Sequence, residues 1–388
     1  MTAITCVDDL QRLARRRVPR LFYDYVDSGS WTETTYRANA ADLDRIAFRQ
    51  RVLVNIEQRS LATTMLGREV SMPVALAPTG FAGMQHADGE ILAARAAGAA
   101  GVPFTLSTMS VCSIEDVAAH SVAPFWFQLY VMRDREFVRA LIERAKAARC
   151  GALVLTLDLQ IPGQRHKDIK NGLASPGNLP FRTRLDMLGK VRWWSTMLGT
   201  RRRGLGNIVG YAPGVADLPS ASAWVKRSFD PTLTWKDVEW IKACWGGPLI
   251  LKGILDPEDA RAACNSGADA LVVSNHGGRQ LDGAPSSIAA LPGIVDAVGD
   301  RIEVHMDGGI RSGQDVARAL ALGAKGAHIG RAFLYGLGAA GEAGVRQCLE
   351  IIRRELDVTL ALCGVTDVAQ VDRSLLARSA TTMNRKIA

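Results

Sequence analysis

The chain has 388 residues, 48% of them hydrophobic and 22% charged, with a formal net charge of +8. This composition excludes a disordered, collagen-like or disulfide-scaffold chain and supplies enough apolar residues for one large core or two smaller ones. The positive balance suits nucleic acid, an anionic membrane surface, an acidic substrate or a merely solvated basic surface, and does not choose among them.

In chain order, the first twenty residues lack an apolar core and so do not read as a signal peptide. Residues 1–70 precede the first strand pattern and are expected to pack as helices against the main body. Eight short apolar runs follow: Pro73–Ala77, Pro103–Ser107, Phe125–Tyr130, Ala152–Asp158, Pro248–Lys252, Ala270–Ser274, Ile302–Asp307 and Ala327–Gly330. Near-continuous apolar strands imply burial on both faces, as in a parallel sheet covered by helices. Ala-rich Glu90–Ala100 and Arg135–Ala148, with Phe137, Leu141 and Ala145 on one face, read as helices. Thr234 with Asp237, and Ser312 with Asp315, have capping-box spacing. Ala96–Ile114 is uncharged, but Pro103 and its small residues make it a helix end plus a strand, not a membrane span. Eight strand–helix units predict a single (β/α)₈ TIM barrel over 1–388; a doubly wound open sheet is the alternative. Residues 159–230 form one long insertion or lid after the fourth strand. Seven scattered cysteines without a C-x-x-C pair predict reduced thiols in a cytoplasmic compartment and no metal site.

Barrels of this kind place their chemistry at the C-terminal strand ends. Here those ends carry Thr79, Ser107, Gln128 with Tyr130, Thr156 with Asp158, Lys252, Ser274 with His276, Asp307, and Gly330 with Arg331. Asp307-Gly308-Gly309-Ile310-Arg311 and Gly330-Arg331 combine glycines, a helix start and two guanidiniums, a pattern that suits a phosphate. His276, with Arg279 three residues on, suits a general base beside a carboxylate clamp. Asp158 is placed to orient the imidazole or to cap its own loop. Arg165 reads equally as a second clamp or a solvated loop residue. Lys252 points an ammonium into the barrel mouth, either to balance a cofactor's negative charge or to form a Schiff base.

The motifs Ser274–Asp282 (SNHGGRQLD), Leu251–Ile254 (LKGI), Phe127–Val131 (FQLYV), Tyr23–Tyr25 (YDY), Ala77–Gly80 (APTG), Asp307–Arg311 (DGGIR) and Gly330-Arg331 occur in order along nearly the whole chain. Together they resemble the FMN-dependent L-2-hydroxy-acid dehydrogenases and oxidases. Met72–Pro78, Val102–Thr108, Phe229–Asp237 and Lys252–Arg261 are most similar to the bacterial membrane-associated, respiratory L-lactate dehydrogenase branch. The resemblance implies His276 as base with Asp158 as its partner, and Tyr25, Tyr130, Arg165 and Arg279 around the substrate. It implies an FMN held by Ala77, Pro78, Thr79, Gly80, Ser107, Gln128, Thr156, Lys252 and Ser274, with its phosphate at Asp307, Gly308, Gly309, Arg311, Gly330 and Arg331. The activity implied is oxidation of L-lactate or a similar L-2-hydroxy acid to the 2-oxo acid, with electrons passed to a quinone or other respiratory acceptor. An oxidase releasing H₂O₂, on a larger mandelate-like substrate, is the alternative. Glycolate oxidases carry Trp at Met109 and Ala at Gly80; the first difference argues against glycolate, the second points to a dehydrogenase that avoids O₂.

In the insertion, Met187, Val191, Trp194 and Leu198 fall at helical spacing among Arg182, Arg184, Lys190 and Arg192. This predicts membrane contact through residues 181–203 at the inner face of the cell membrane; a lid helix packed on the barrel is the alternative. No nucleic-acid partner is expected, since no stripe of stacking aromatics accompanies the charge. Homo-oligomerisation, as a tetramer, follows from the family alone.

Overall fold

In a computed structural model of the chain, residues 3–173, 179–299 and 301–377 are described. The eight expected strands form: β1 Val74–Leu76, β2 Thr105–Ser107, β3 Trp126–Leu129, β4 Ala152–Thr156, β5 Leu249–Ile254, β6 Ala270–Val273, β7 Glu303–Asp307 and β8 Gly326–Ile329. They pair in parallel in the order β1-β8-β7-β6-β5-β4-β3-β2, and a bridge from Leu76 to Phe104 brings the ends of the sheet together. The result is a (β/α)₈ barrel. Of its strand residues only Gly253 and Glu303 are not fully buried, which is why the sequence shows continuous runs instead of alternation.

Helices alternate with the strands. Gly89–Ala100 and Arg135–Ala147 lie within a residue of their expected bounds. At Ser312 the side chain accepts from the Asp315 N–H (3.2 Å), while its own N–H donates to Asp315 Oδ2 (3.0 Å). Both arms of the expected capping box are therefore made, and they start Gly313–Ala321 beside the barrel mouth. Helices Val7–Arg17, Arg20–Val26 and Thr34–Asp44 occupy the N-terminal region. All seven cysteines are free, four of them buried. Among the described residues no cluster of metal-ligating side chains exists.

Two features of the barrel interior have no counterpart in the sequence reading. A hairpin, Thr63–Met65 with Arg68–Val70, closes the N-terminal end of the barrel. Its Met65 and Val70 pack with Trp126, Val154, Ile250 and Val272 into a dry lower core. Met65 seats so closely that a Cβ on Gly326 would lie 2.4 Å from its Cε. Above this plug, fully buried His305 and His328 share a hydrogen bond (Nδ1 to Nε2, 2.9 Å), with Trp126 stacked on His305. Burial, His305 and Lys252 together push the His328 imidazole far below its ordinary value, so it stays neutral.

The insertion departs from the expected single amphipathic stripe. Its residues 181–197 form two short helices, Phe181–Leu188 and Val191–Met197, interrupted at Gly189 and Lys190, between the further insertion helices His166–Asn171 and Leu218–Ser228. Trp193 turns inward, donates its indole N–H to the Met84 carbonyl (2.8 Å) and packs with Met197 against Met84, Ala87 and Val111. Phe181, Leu185, Leu188, Val191 and Leu198 remain exposed beside exposed Arg182, Arg184, Arg192 and Arg201. Among the described residues no helix is long and apolar enough to cross a membrane.

Candidate active site

Inward-facing side chains at the strand ends surround a cavity at the barrel mouth. Its walls include Tyr25, Ala77–Gly80, Tyr130, Thr156, Lys252, His276, Arg279, Asp307–Gly309, Arg311, Gly330 and Arg331. The remaining sequence-predicted residues lie directly behind these. Ser107 Oγ donates to Gln128 Oε1 (3.0 Å) and Gln128 Nε2 donates to Thr156 Oγ1 (3.0 Å), a chain across β2, β3 and β4 that fixes the amide's orientation. Ser274 Oγ accepts from the Lys252 ammonium (2.8 Å) and from the His276 N–H (3.1 Å).

His276 adopts a left-handed backbone (φ +57°), a conformation that costs a non-glycine residue about 1–2 kcal/mol and that its surroundings must hold in place. The following Gly277 and Gly278 are also left-handed, and a Cβ on Gly278 would lie 2.5 Å from the Tyr36 nitrogen. The turn therefore beds on the N-terminal segment and aims the imidazole at the mouth. His276 Nδ1 lies 2.9 Å from Asp158 Oδ1. Burial alone would raise the Asp158 carboxyl, but the imidazole and the Lys252 ammonium outweigh it and hold it below the usual carboxylate range. An ionised Asp158 can only accept, so Nδ1 carries the proton and Nε2 is left as the basic nitrogen.

Two guanidiniums approach the Tyr25 ring, Arg279 at 4.7 Å from its centroid and Arg165 at 5.7 Å. Arg279 donates to the carbonyls of Tyr25 (2.6 Å) and Ser28 (3.2 Å). Burial and the neighbouring Arg165 push it down to about 10, still charged at neutral pH. Arg165 pairs with Asp168 (2.5 Å), which keeps it charged despite burial. Sequence reasoning did not single out Asp168; the three-residue spacing to Arg165 at a helix start was the available signal. Tyr130 is a neutral phenol, its ionisation suppressed by burial and by Tyr25 and Asp158.

Lys252 lies 2.9 Å from Asp307 Oδ2. Burial opposes its charge, but Asp307 and Asp158 hold the ammonium above its ordinary value. A lysine held protonated lacks the lone pair that imine formation requires, so the Schiff-base alternative loses its support. Asp307 is thereby engaged in the barrel interior, which leaves Gly308, Gly309 and Arg311 of that loop for an anion. Arg331 is oriented entirely by carbonyls, those of Val26 (2.8 Å), Ser28 (2.7 Å) and Gly277 (2.9 Å), and Arg311 donates to its own neighbour Ile310 (2.9 Å). Among the described residues neither makes an ion pair with a carboxylate. Arg331 opens a helix within Arg331–Leu362, a span broken by a kink at Ala340 and Gly341. Buried Arg331 and half-buried Arg311, neither with a carboxylate counter-ion and each beside a helix start, fit the phosphate of a mononucleotide.

A second, mainly apolar chamber adjoins the first and shares Tyr25, Met109, Tyr130, His276 and Arg279 with it. Phe22, Phe81, Met84, Leu173, Leu205 and Val225 line its far side, the last three from the insertion. Gly80 sits at the junction, where a Cβ would press on Met109 (3.1 Å) and the Tyr25 hydroxyl (3.2 Å).

Residues 14–378 match the family model described as FMN-dependent dehydrogenase. An L-lactate dehydrogenase of Caulobacter sp. (strain K31) is 49% identical over 97% of this chain and 99% of its own, and one of Ectopseudomonas mendocina (strain ymp) is 47% identical over 97% and 99%. A crystal structure of the monotopic membrane protein (S)-mandelate dehydrogenase superposes with a TM-score of 0.93 at 35% identity, over 97% of this chain and 100% of that one.

Proposed function

The chain belongs to the FMN-dependent dehydrogenase family, and from that membership we propose that it oxidises L-lactate, or an L-2-hydroxy acid of similar size, to the 2-oxo acid and delivers the electrons to a quinone-type acceptor at the inner face of the cell membrane. The observation that carries the reading is the Asp158–His276 pair opening beside two guanidiniums on one tyrosine ring. Arg279 and Arg165 hold the substrate carboxylate, and Tyr25 and Tyr130 confine the α-carbon and hydroxyl between them. His276 Nε2 takes up the proton that the hydroxy acid gives up, and Asp158 stabilises the imidazolium so formed. Bound FMN supplies the two-electron acceptor. Arg311, Arg331 and the glycine loops hold its phosphate. Lys252 and Thr156 would border its ring with Gln128 and Ser107 bracing them from behind, and Ala77–Gly80 would line the same site. The Lys252 ammonium offsets negative charge that develops there.

The acceptor assignment is supported by the exposed Phe181, Leu185, Leu188, Val191 and Leu198 among arginines, the makeup of a surface that lies on anionic lipid. The superposable (S)-mandelate dehydrogenase is itself a monotopic membrane protein, which agrees. The apolar chamber beside these helices offers a lipophilic acceptor a route inward. The same chamber favours a second reading, a bulkier mandelate-like hydroxy acid. The chain acts as one domain, and as a tetramer by analogy with its family.

The test is anaerobic flavin bleaching with L-lactate, L-mandelate and glycolate in turn, followed by air. Fast bleaching by L-lactate with slow reoxidation in air is expected; fast reoxidation selects an oxidase. Burying one leucine-sized side chain is worth about 1.5–3 kcal/mol. Leu188→Asp or Val191→Asp is therefore expected to weaken binding to anionic vesicles roughly tenfold or more, while turnover with a soluble dye persists.

A further inference from the structure

Arg279, Arg311 and Arg331 all need orientation without neutralisation, since each is to meet an anion. One carboxylate lies among them and takes no part in the scheme above. Asp27 follows helix Arg20–Val26, and its Oδ1 accepts from the hydroxyls of Tyr36 and Tyr335 (both 2.8 Å) and its Oδ2 from that of Tyr23 (3.0 Å). Among the described residues no cation lies within ion-pair distance of this carboxylate. The phenols it binds are the braces of the phosphate site: Arg331 lies 4.5 Å over the Tyr36 ring and Arg311 5.5 Å over the Tyr335 ring. The main chain around Asp27 does the rest. The Tyr25 and Ser28 carbonyls accept from Arg279, and the Val26 and Ser28 carbonyls accept from Arg331.

We propose that Asp27 is a positioning residue that holds the Tyr25–Ser28 segment and its two tyrosine braces in place, and so sets at once the guanidinium that grips the substrate carboxylate and those that grip the cofactor phosphate. The carboxylate works one layer removed. Its charge is taken up by three phenol donors and, at 3.4 Å, the Gln11 amide, all uncharged, and the arginines receive uncharged carbonyls, which orient them and leave their charge for the anions. This inference rests on the functional reading above.

Removing a negative charge near Arg331 by electrostatics alone would tighten anion binding, whereas loosening the segment weakens it, so the sign decides. Asp27→Asn is expected to raise the FMN Kd of the apoprotein, read by flavin fluorescence quenching, and the KM for L-lactate, each roughly tenfold; kcat at saturation is expected to fall by less than KM rises. Tyr335→Phe and Tyr36→Phe, which leave the charge untouched, are expected to move FMN binding in the same direction by less. An Asp27→Asn protein that binds FMN as tightly as the parent or more tightly, or that changes only one of the two constants, overturns the proposal. If that variant fails to fold, the two phenylalanine variants decide, and unchanged FMN affinity in both overturns it. A parent protein that binds no FMN overturns the functional reading as well, while a parent that binds FMN beside indifferent variants overturns this inference alone.

Discussion

On β5, Ile250 faces the base of the barrel and Lys252, two residues on, faces its mouth. The same step separates Val154 from Thr156 on β4, Trp126 from Gln128 on β3, and Val272 from Ser274 at the end of β6. Because side chains repeat to one face every second residue, each of these four strands passes from a packed apolar layer to a polar one within about 7 Å. The base holds the strands together and excludes water; the mouth carries charges that would be poorly stabilised without that dry support. The contrast teaches that stability and chemistry are stacked along the barrel axis and are separable by mutation.

Three experiments break or sharpen that separation. His276→Asn at the mouth is expected to lower kcat roughly 10²- to 10⁴-fold, with thermal stability and flavin content close to the parent; an equal loss of stability would break the contrast. Ile250→Ala at the base should do the reverse. It is expected to cost about 2–5 kcal/mol in denaturant unfolding while KM for the hydroxy acid stays unchanged, and a raised KM would show that the layers are coupled. The smallest effect is in pH. Asp158 has a folded-state carboxyl held below its ordinary value, so its contribution to stability is complete above the unfolded value near 3.9 and is lost as pH falls through the lower folded one. The difference in stability between the parent and Asp158→Asn is therefore expected to be flat from about pH 5 to pH 8 and to shrink below about pH 4. Because the Ile250→Ala site carries no charge, its deficit is expected to stay level over the same range.

Much of this was legible beforehand. The strands announced themselves because burial on both faces demands unbroken apolar runs, and the polar residue closing each run marked the mouth. His276, Arg279 and Lys252 could be chosen on their own chemistry, whereas Tyr25 was identifiable only through the family resemblance. What escaped notice depends on contacts between distant segments. The hairpin at 63–70 has strands of three residues each, too short for a periodic signal. The Asp27 cluster draws on Tyr23, Tyr36 and Tyr335, more than three hundred residues apart at the extremes. The His305–His328 pair joins two strands whose apolar runs conceal a polar partner. In the insertion the helical spacing predicts one amphipathic stripe, but the helix breaks at Gly189 and Lys190, and Trp193 is held inward by the Met84 carbonyl, a contact no local spacing announces.

The hairpin plug with Met65 against Gly326 also governs traffic. A barrel corked at its base leaves its mouth as the side on which the molecule that brings electrons and the one that takes them away would both arrive. If both use the chamber that Met109 and Tyr130 border, they take turns, and the product of the first visit has to depart before the second visitor is admitted.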